Sequence, residues 1–261
     1  MAQSPAMNVM RAAVEKAGRA LRRDFGEVEN LQVSKKGPGD FVSQADLKAE
    51  KILFEELSEA RPGYGFLMEE RGIIEGADTT HRWIIDPLDG TTNFLHGIPH
   101  FAISVALERD GTLVAGVIYN PITDELFWGE RGQGAWGPGG RLRVAARDRL
   151  SETIIASGMP YKDGGNRPAW QEKITALSND AGDIRTFGSA ALDLAYLAAG
   201  RVDGYLETGL GAWDMAAGIV IVREAGGLVS DPSNRQRMLD EGAIVAGNEV
   251  IHATLLKKLQ G

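Results

Sequence analysis

The chain has 261 residues and an ordinary globular composition, which fits one large domain or two small ones sharing an interface. Its formal charge of −8 excludes the basic footprint with which a general nucleic-acid binder displaces counterions. The absence of cysteine excludes disulfides, thiolate metal sites and cysteine nucleophiles, and it suits a reducing compartment.

The N-terminal stretch lacks the unbroken apolar core of a signal peptide, and no apolar run approaches membrane-spanning length. A cytoplasmic protein with no direct membrane binding is therefore expected. Met10, Ala13, Val14, Ala17 and Leu21 recur at helical spacing and predict an amphipathic first helix. SQADLKAEKILFEELSEARPG predicts a second, with Ser43 as N-cap and Arg61-Pro62-Gly63 as the stop. From residue 81 the pattern changes: RWIID, FAISVALE, LVAGVIYN and ELFWGE read as strands, divided by Asp110-Gly111 and by the Pro121 to Asp124 turn. GERGQGAWGPGG reads as a turn before strand-like RLRVA.

Beyond Ser151 strands and helices alternate. ETIIASG, DIRTFG, VDGYLE, GLVSD and AIVAGN read as strands; PAWQEKITALSN, SAALDLAYLAAG, WDMAAGIVIVREAGG and NEVIHATLLKKL read as helices, the last capped by Asn248. The expected class is α+β passing into α/β. Residues 1–145 would form helices on an antiparallel sheet, and 146–261 a smaller α/β domain with a partly parallel sheet.

Several acids fall at element ends rather than on solvated helix faces: Asp46, Glu69, Glu70, Asp86, Asp89 and Asp214. Taken singly, Asp46 reads as a capping-box acid, Asp214 as a complement to a helix dipole and Glu69-Glu70 as a surface turn. Asp86 and Asp89 resist such a reading. They close an apolar strand at a sheet edge, where sites form, and Pro87 fixes the turn between them. Two carboxylates there raise each other's pKa unless a cation holds them, and oxygen donors without His or Cys select Mg²⁺, Mn²⁺ or Ca²⁺ over zinc. Gly90, Thr91 and Thr92 follow with backbone amides suited to an anion and, in Thr91, a hydroxyl able to orient a water. Acids for cations beside amides for phosphate make a phosphoryl-transfer site.

WIIDPLDGTTNF (83–94) and WDMAAGIVIVREAGG (213–227) resemble the two signatures of the inositol monophosphatase family; GDFVSQAD (39–46) and MEE (68–70) resemble its acidic and glutamate motifs, in family order. Within the family the likeness is to the bacterial extragenic suppressor type. The resemblance implies an αβαβα layered sandwich of the sugar-phosphatase type, shared with fructose-1,6-bisphosphatases, and Mg²⁺ dependence, with Mn²⁺ as a substitute. It also implies lithium sensitivity and a homodimer. It makes Glu69, Asp86, the Leu88 carbonyl, Asp89 and Asp214 metal ligands, with Asp89 bridging two ions and Asp46 near a third. Asp46 would pair with Thr91 to position the nucleophilic water, and Glu69 would share in catalysis. Phosphate would lie on the Gly90 and Thr91 amides next to Thr92, and the alcohol against Ser189, Ala190 and Glu207, beside Asp89 and Asp214. Lys35, with Lys36 beside it, would lie close to metal or phosphate. Met68 departs from the family's glycine before the glutamate pair, and Gly211 from a larger residue near the substrate.

Inositol 1-phosphate leads as the expected substrate. Fructose 1,6-bisphosphate, histidinol phosphate and nucleoside 3′,5′-bisphosphates share the same metal cradle. The suppressor likeness adds a non-catalytic alternative, a protein partner in RNA synthesis, transcription or ribosome biogenesis. Other chemistries fare poorly. His96 and His100 are one helical turn apart but flank Pro99, His81 and His252 stand alone, and Ser157 lacks the nucleophile-elbow frame.

Overall fold

The first helix, α1 (Pro5–Leu31), turns Met7, Met10, Ala13, Val14, Ala17 and Leu21 wholly inward, as the apolar spacing predicts. The computed structural model describes residues 4–31, 38–159 and 167–260. Lys35 and Lys36 lie outside the described residues. The second helix, α2 (Pro38–Ala60), starts five residues before the expected cap. Ser43 is inside the helix, which opens instead on Pro38, where a missing N–H costs nothing and φ is already helical. Asp46 is thus a mid-helix residue, not a capping-box acid.

Eight strands follow in one sheet: β1 (Tyr64–Met68), β2 (Gly72–Ile74), β3 (Asp78–Asp89), β4 (Ala102–Arg109), β5 (Thr112–Asn120), β6 (Glu125–Glu130), β7 (Gly134–Gly137) and β8 (Gly140–Arg141), in the order β2-β1-β3-β4-β5-β6-β7-β8. All neighbours are antiparallel except β1 and β3, which run parallel. Asp110 and Gly111 both take positive φ, the geometry of a tight primed hairpin turn. The glycine-rich 129–140 stretch is more than a turn: it holds β7 and the start of a further hairpin, in which Trp136 pairs across to Trp128. Glycine there permits the positive φ at 132, 134 and 140 without ending the ladder.

Alternation assigns the sheet's two faces. Trp83, Ile85, Ile103, Val105, Leu107, Val117 and Tyr119 pack against α1 and α2. Ile84, Ala102, Ala106 and Ile118 face a central layer made by α5 (Ala190–Ala198) and α6 (Ala212–Glu224). Small residues on that side let α6 approach closely. A Cβ on Gly116 would stand 2.5 Å from the Ala217 carbonyl oxygen, far inside contact distance.

The second sheet comprises β9 (Ile154–Ala156), β10 (Asp183–Arg185), β11 (Gly204–Thr208), β12 (Leu228–Ser230) and β13 (Ala243–Gly247), ordered β10-β9-β11-β13-β12. It is partly parallel: β9 runs with β10 and β11, while β13 opposes β11 and β12. Its outer face packs on α4 (Arg167–Ser178) and α8 (Glu249–Gln260), and Asn248 Oδ1 caps α8 at the Ile251 N–H, 3.0 Å away. A four-residue helix, α7 (Met238–Glu241), joins β12 to β13. From outside to outside the layers are α1/α2, first sheet, α5/α6, second sheet, α4/α8. This is the expected αβαβα sandwich. No described helix is long and apolar enough to cross a membrane.

Candidate metal and phosphate-ester site

β3 carries its acids past the regular ladder. Asp86 pairs with Ser104, then the register slips by one residue and Asp89 opposes Ala102. Without that bulge a three-residue offset would put the two carboxylates on opposite faces of the strand. With it they converge, and Asp86 Oδ1 accepts the Leu88 N–H at 2.9 Å across the turn. Asp214 arrives from the first turn of α6, where its Oδ2 accepts the Gly211 N–H at 2.7 Å. Ser104 on β4 donates to the Trp213 carbonyl, 3.1 Å away, fastening that turn to the first sheet. One carboxylate oxygen each from Asp86, Asp89 and Asp214 then lies within 4.8 Å of the others.

Glu69 enters from the end of β1, its N–H 3.3 Å from the Ile85 carbonyl, so the parallel pairing of β1 with β3 delivers it beside Asp86. The turn after it is held from α2 by Glu50, a wholly buried acid absent from the sequence reading. Glu50 Oε2 accepts the Glu70 N–H at 3.0 Å, and its Oε1 is 3.1 Å from Arg71 Nε.

Electrostatics set this group apart. Burial, with the neighbouring Glu69, Asp89 and Asp214, holds the Asp86 carboxyl well above the ordinary range. Burial and Asp214 push Asp89 up to about 7 against Ser189, Ala191 and Ala190, which pull it down. Burial raises Glu69 and Asp214 to about 6 each, and burial with Glu69, Glu70 and Glu50 raises Asp46 to about 8. Among the described residues no Lys, Arg or His is among the neighbours that shift these acids, and Asp46 Oδ1 is buried with no hydrogen-bond partner there. Oxygen-only donors, mutually repelling and lacking an internal counter-ion, fit a hard divalent cation.

Beside the acids, Gly90 takes φ 98° ahead of a short helix, α3 (Thr91–Leu95). A side chain there would also meet the Gly188 and His100 carbonyls, each at 3.1 Å. Thr91 and Thr92 occupy the first turn of α3, whose N–H groups lack intrahelical acceptors. The Thr91 hydroxyl donates to the Leu88 carbonyl at 3.0 Å, within its own turn. Asn93, which the sequence reading passed over, donates to the carbonyls of His100 (2.7 Å) and Phe187 (2.8 Å), tying α3 to the loop before α5.

That loop reaches Asp89. Ser189, the N-cap of α5, donates to Asp89 Oδ2 at 2.5 Å, and the Ala191 N–H does so at 2.7 Å. The positive end of α5 therefore helps offset the Asp89 charge. Ser189 and Ala190 line the same cavity of about 720 Å³ as Glu69, Asp86, Leu88, Asp89, Gly90, Thr91, Thr92, Glu207 and Asp214. The Ser189 hydroxyl, however, already donates to Asp89. Asp46 neighbours Glu69 and Glu70, whose charges join burial in raising its pKa. Glu207 accepts the Tyr205 hydroxyl at 2.7 Å, and Gly158 passes so close that a Cβ would sit 1.9 Å from Glu207 Oε1. Gly211 is pressed likewise: a Cβ there would meet the Trp213 indole at 2.4 Å. His96 ends α3 and His100 lies beyond it, so the two share no helix face.

A five-layer sandwich with a buried oxygen-donor cluster beside a helix start defines a class of cation-assisted phosphate chemistry. The inositol monophosphatase family model matches residues 2–261, and the chain belongs to that family. It is 62% identical to the inositol-1-monophosphatase of Mesorhizobium japonicum, over 100% of this chain and 98% of that protein. It is 41% identical to the Nus factor SuhB of Escherichia coli K12, over 98% of this chain and 96% of that one. The crystal structure of the extragenic suppressor protein SuhB from Bartonella henselae superposes with a TM-score of 0.91 at 57% identity, covering 98% of this chain and 99% of that one.

Proposed function

We propose that the protein is a Mg²⁺-dependent phosphate monoester hydrolase that converts inositol 1-phosphate and water to inositol and phosphate. The observation that carries this reading is the convergence of Asp86, Asp89 and Asp214 within 4.8 Å, from two separate parts of the fold. Glu69, Asp86, the Leu88 carbonyl, Asp89 and Asp214 would hold Mg²⁺, or Mn²⁺ in its place. Bound there, the ions supply a water of lowered pKa and offset charge on the leaving oxygen.

The chain's own groups do the rest. The free N–H groups after Gly90 receive the phosphate oxygens, fixing phosphorus against the acid cluster. Because the Thr91 hydroxyl proton goes to the Leu88 carbonyl, its oxygen remains an acceptor for a proton of the attacking water. Asp46, with its unpartnered Oδ1, supplies the second acceptor. In-line attack forms the new P–O bond as the ester P–O bond breaks, and the water's protons end on phosphate and the departing alcohol. The alcohol lies against Ala190 and Glu207. A positioned base alone contributes ~10²–10⁴, whereas unassisted monoester hydrolysis calls for accelerations up to ~10²¹. Charge stabilisation must therefore dominate.

The test is a phosphate-release screen over inositol 1-phosphate, fructose 1,6-bisphosphate, histidinol phosphate and 3′-phosphoadenosine 5′-phosphate, with and without Mg²⁺ and Li⁺. Mg²⁺-dependent release, fastest on inositol 1-phosphate and inhibited by Li⁺, is the expected result. Release unaffected by chelator would overturn the reading, and a different best ester would reassign the substrate. The likeness to a Nus factor supports a second reading, a partner role in transcription independent of chemistry. Capture of transcription proteins that survives Asp89→Asn supports it; no capture by either form removes it.

A further inference from the structure

The cavity wall contains an acid that the scheme above leaves without a task. Asp193 is on the first turn of α5, four residues after Ser189 and three after Ala190, so helical spacing puts it on the face they turn to the cavity. It lines that cavity with Glu207 while only 1% exposed, and its Oδ1 has no hydrogen-bond partner. Other buried acids nearby are satisfied: Glu207 takes the Tyr205 hydroxyl, and Asp89 takes Ser189 and Ala191. An orphaned buried carboxyl costs stability, and folds retain one where a ligand completes it.

The kind of ligand follows from the surroundings. Burial, then Glu207 and Asp89, hold the Asp193 carboxyl above its ordinary range, and its unpartnered oxygen is a hydrogen-bond acceptor in either form. Glu207, raised by burial to about 7, stands near it. Two carboxyl groups on one wall accept from neighbouring hydroxyls and leave a hydrocarbon surface unmatched. We propose that Asp193, with Glu207, hydrogen-bonds a hydroxyl of the leaving alcohol and makes the enzyme select phosphate esters of polyols over those of plain alcohols. This rests on the phosphatase reading and extends it to substrate selection.

The experiment compares kcat/KM for inositol 1-phosphate with that for cyclohexyl phosphate, the same ring without hydroxyls, in Mg²⁺. The wild-type protein should prefer the polyol ester, because a site built to bond hydroxyls rejects an analogue lacking them. Asp193→Leu should lower the ratio of the two values by about tenfold or more, chiefly through KM for the polyol ester. Asp193→Asn, which keeps a donor and an acceptor, should stay within about threefold of wild type. An unchanged ratio in Asp193→Leu, whether both rates fall together or neither moves, overturns the proposal. If that variant does not fold, Asp193→Ala is read the same way; a chain that folds with Asn but with neither Leu nor Ala makes the carboxyl a structural group and equally overturns it. A wild-type protein that cleaves both esters alike refutes polyol selection alone, whereas one that cleaves neither refutes the phosphatase reading with it.

Discussion

Two buried aspartate sites in this molecule are treated in opposite ways. Asp203, just ahead of β11 in the second sheet, is fully enclosed, but Arg147 Nε meets its Oδ1 at 2.7 Å and the Ile154 N–H meets its Oδ2 at 2.8 Å. At the end of β3, Asp86 is drawn as deeply inward, and it is given half-buried Asp89 and Asp214 as neighbours rather than, among the described residues, an ion-pair partner. The contrast teaches that burial of an acid does not mark a site. What marks it is burial without a counter-charge, since only an external ion can then justify the desolvation.

Substitutions can break that comparison. Asp89→Asn should cut Mg²⁺-dependent phosphate release more than ~100-fold, the scale of losing a central electrostatic stabiliser, while the metal-free melting temperature holds or rises because a repelling charge is gone. Retention of a tenth of wild-type activity or more would sink the bridging assignment.

Ion addition comes next. Asp46, Glu69, Asp89 and Asp214 all have folded pKa values raised above their ordinary 3.8 or 4.5, to between about 6 and about 8. A raised carboxyl costs nothing below its unfolded pKa and progressively more as pH climbs through the folded one. Metal-free protein should therefore lose stability from this cluster between pH 5 and pH 8, and Mg²⁺ should restore it most at pH 8. At a hundred times Kd the gain is about 2.7 kcal/mol, or roughly 5–10 °C in melting temperature. A Mg²⁺ shift no larger at pH 8 than at pH 5 contradicts the assignment.

Asp203→Ala should behave in the reverse manner, costing about 1–3 kcal/mol in denaturant unfolding with no change in kcat. Smallest is Glu50→Gln, which loosens the turn carrying Glu69: apparent Mg²⁺ affinity should weaken about threefold to tenfold at nearly constant kcat. Equal loss in kcat at saturating Mg²⁺ would mean that Glu50 does more than position that turn.

The sequence made the middle of the first sheet plain, because β3 to β6 are local hairpins with strict alternation and recognisable turns. It also exposed α6 and α8, whose apolar runs end in glycine or begin at Asn248. The parallel partnership of β1 with β3 escaped it, since pairing between distant strands leaves no local periodicity. So did the true start of α2: Ser43 has the chemistry of a cap, but Pro38 offered an earlier start. The acids of the cluster were legible because they interrupt apolar patterns. Glu50, Asn93, Ala191 and Asp193 were not, for each acts on a partner far along the chain or from within a helix that looks merely apolar.

Gly116 carries one more implication. Because the backbone of α6 rests where its missing side chain would be, the gap between the helix and the first sheet is dictated by the lack of a single carbon atom. Asp214 rides on that helix and Asp86 on that sheet, so the same gap sets the bite of the oxygen donors. A methyl group at 116 would jack the layers apart and widen the spacing of those oxygens without touching one of them.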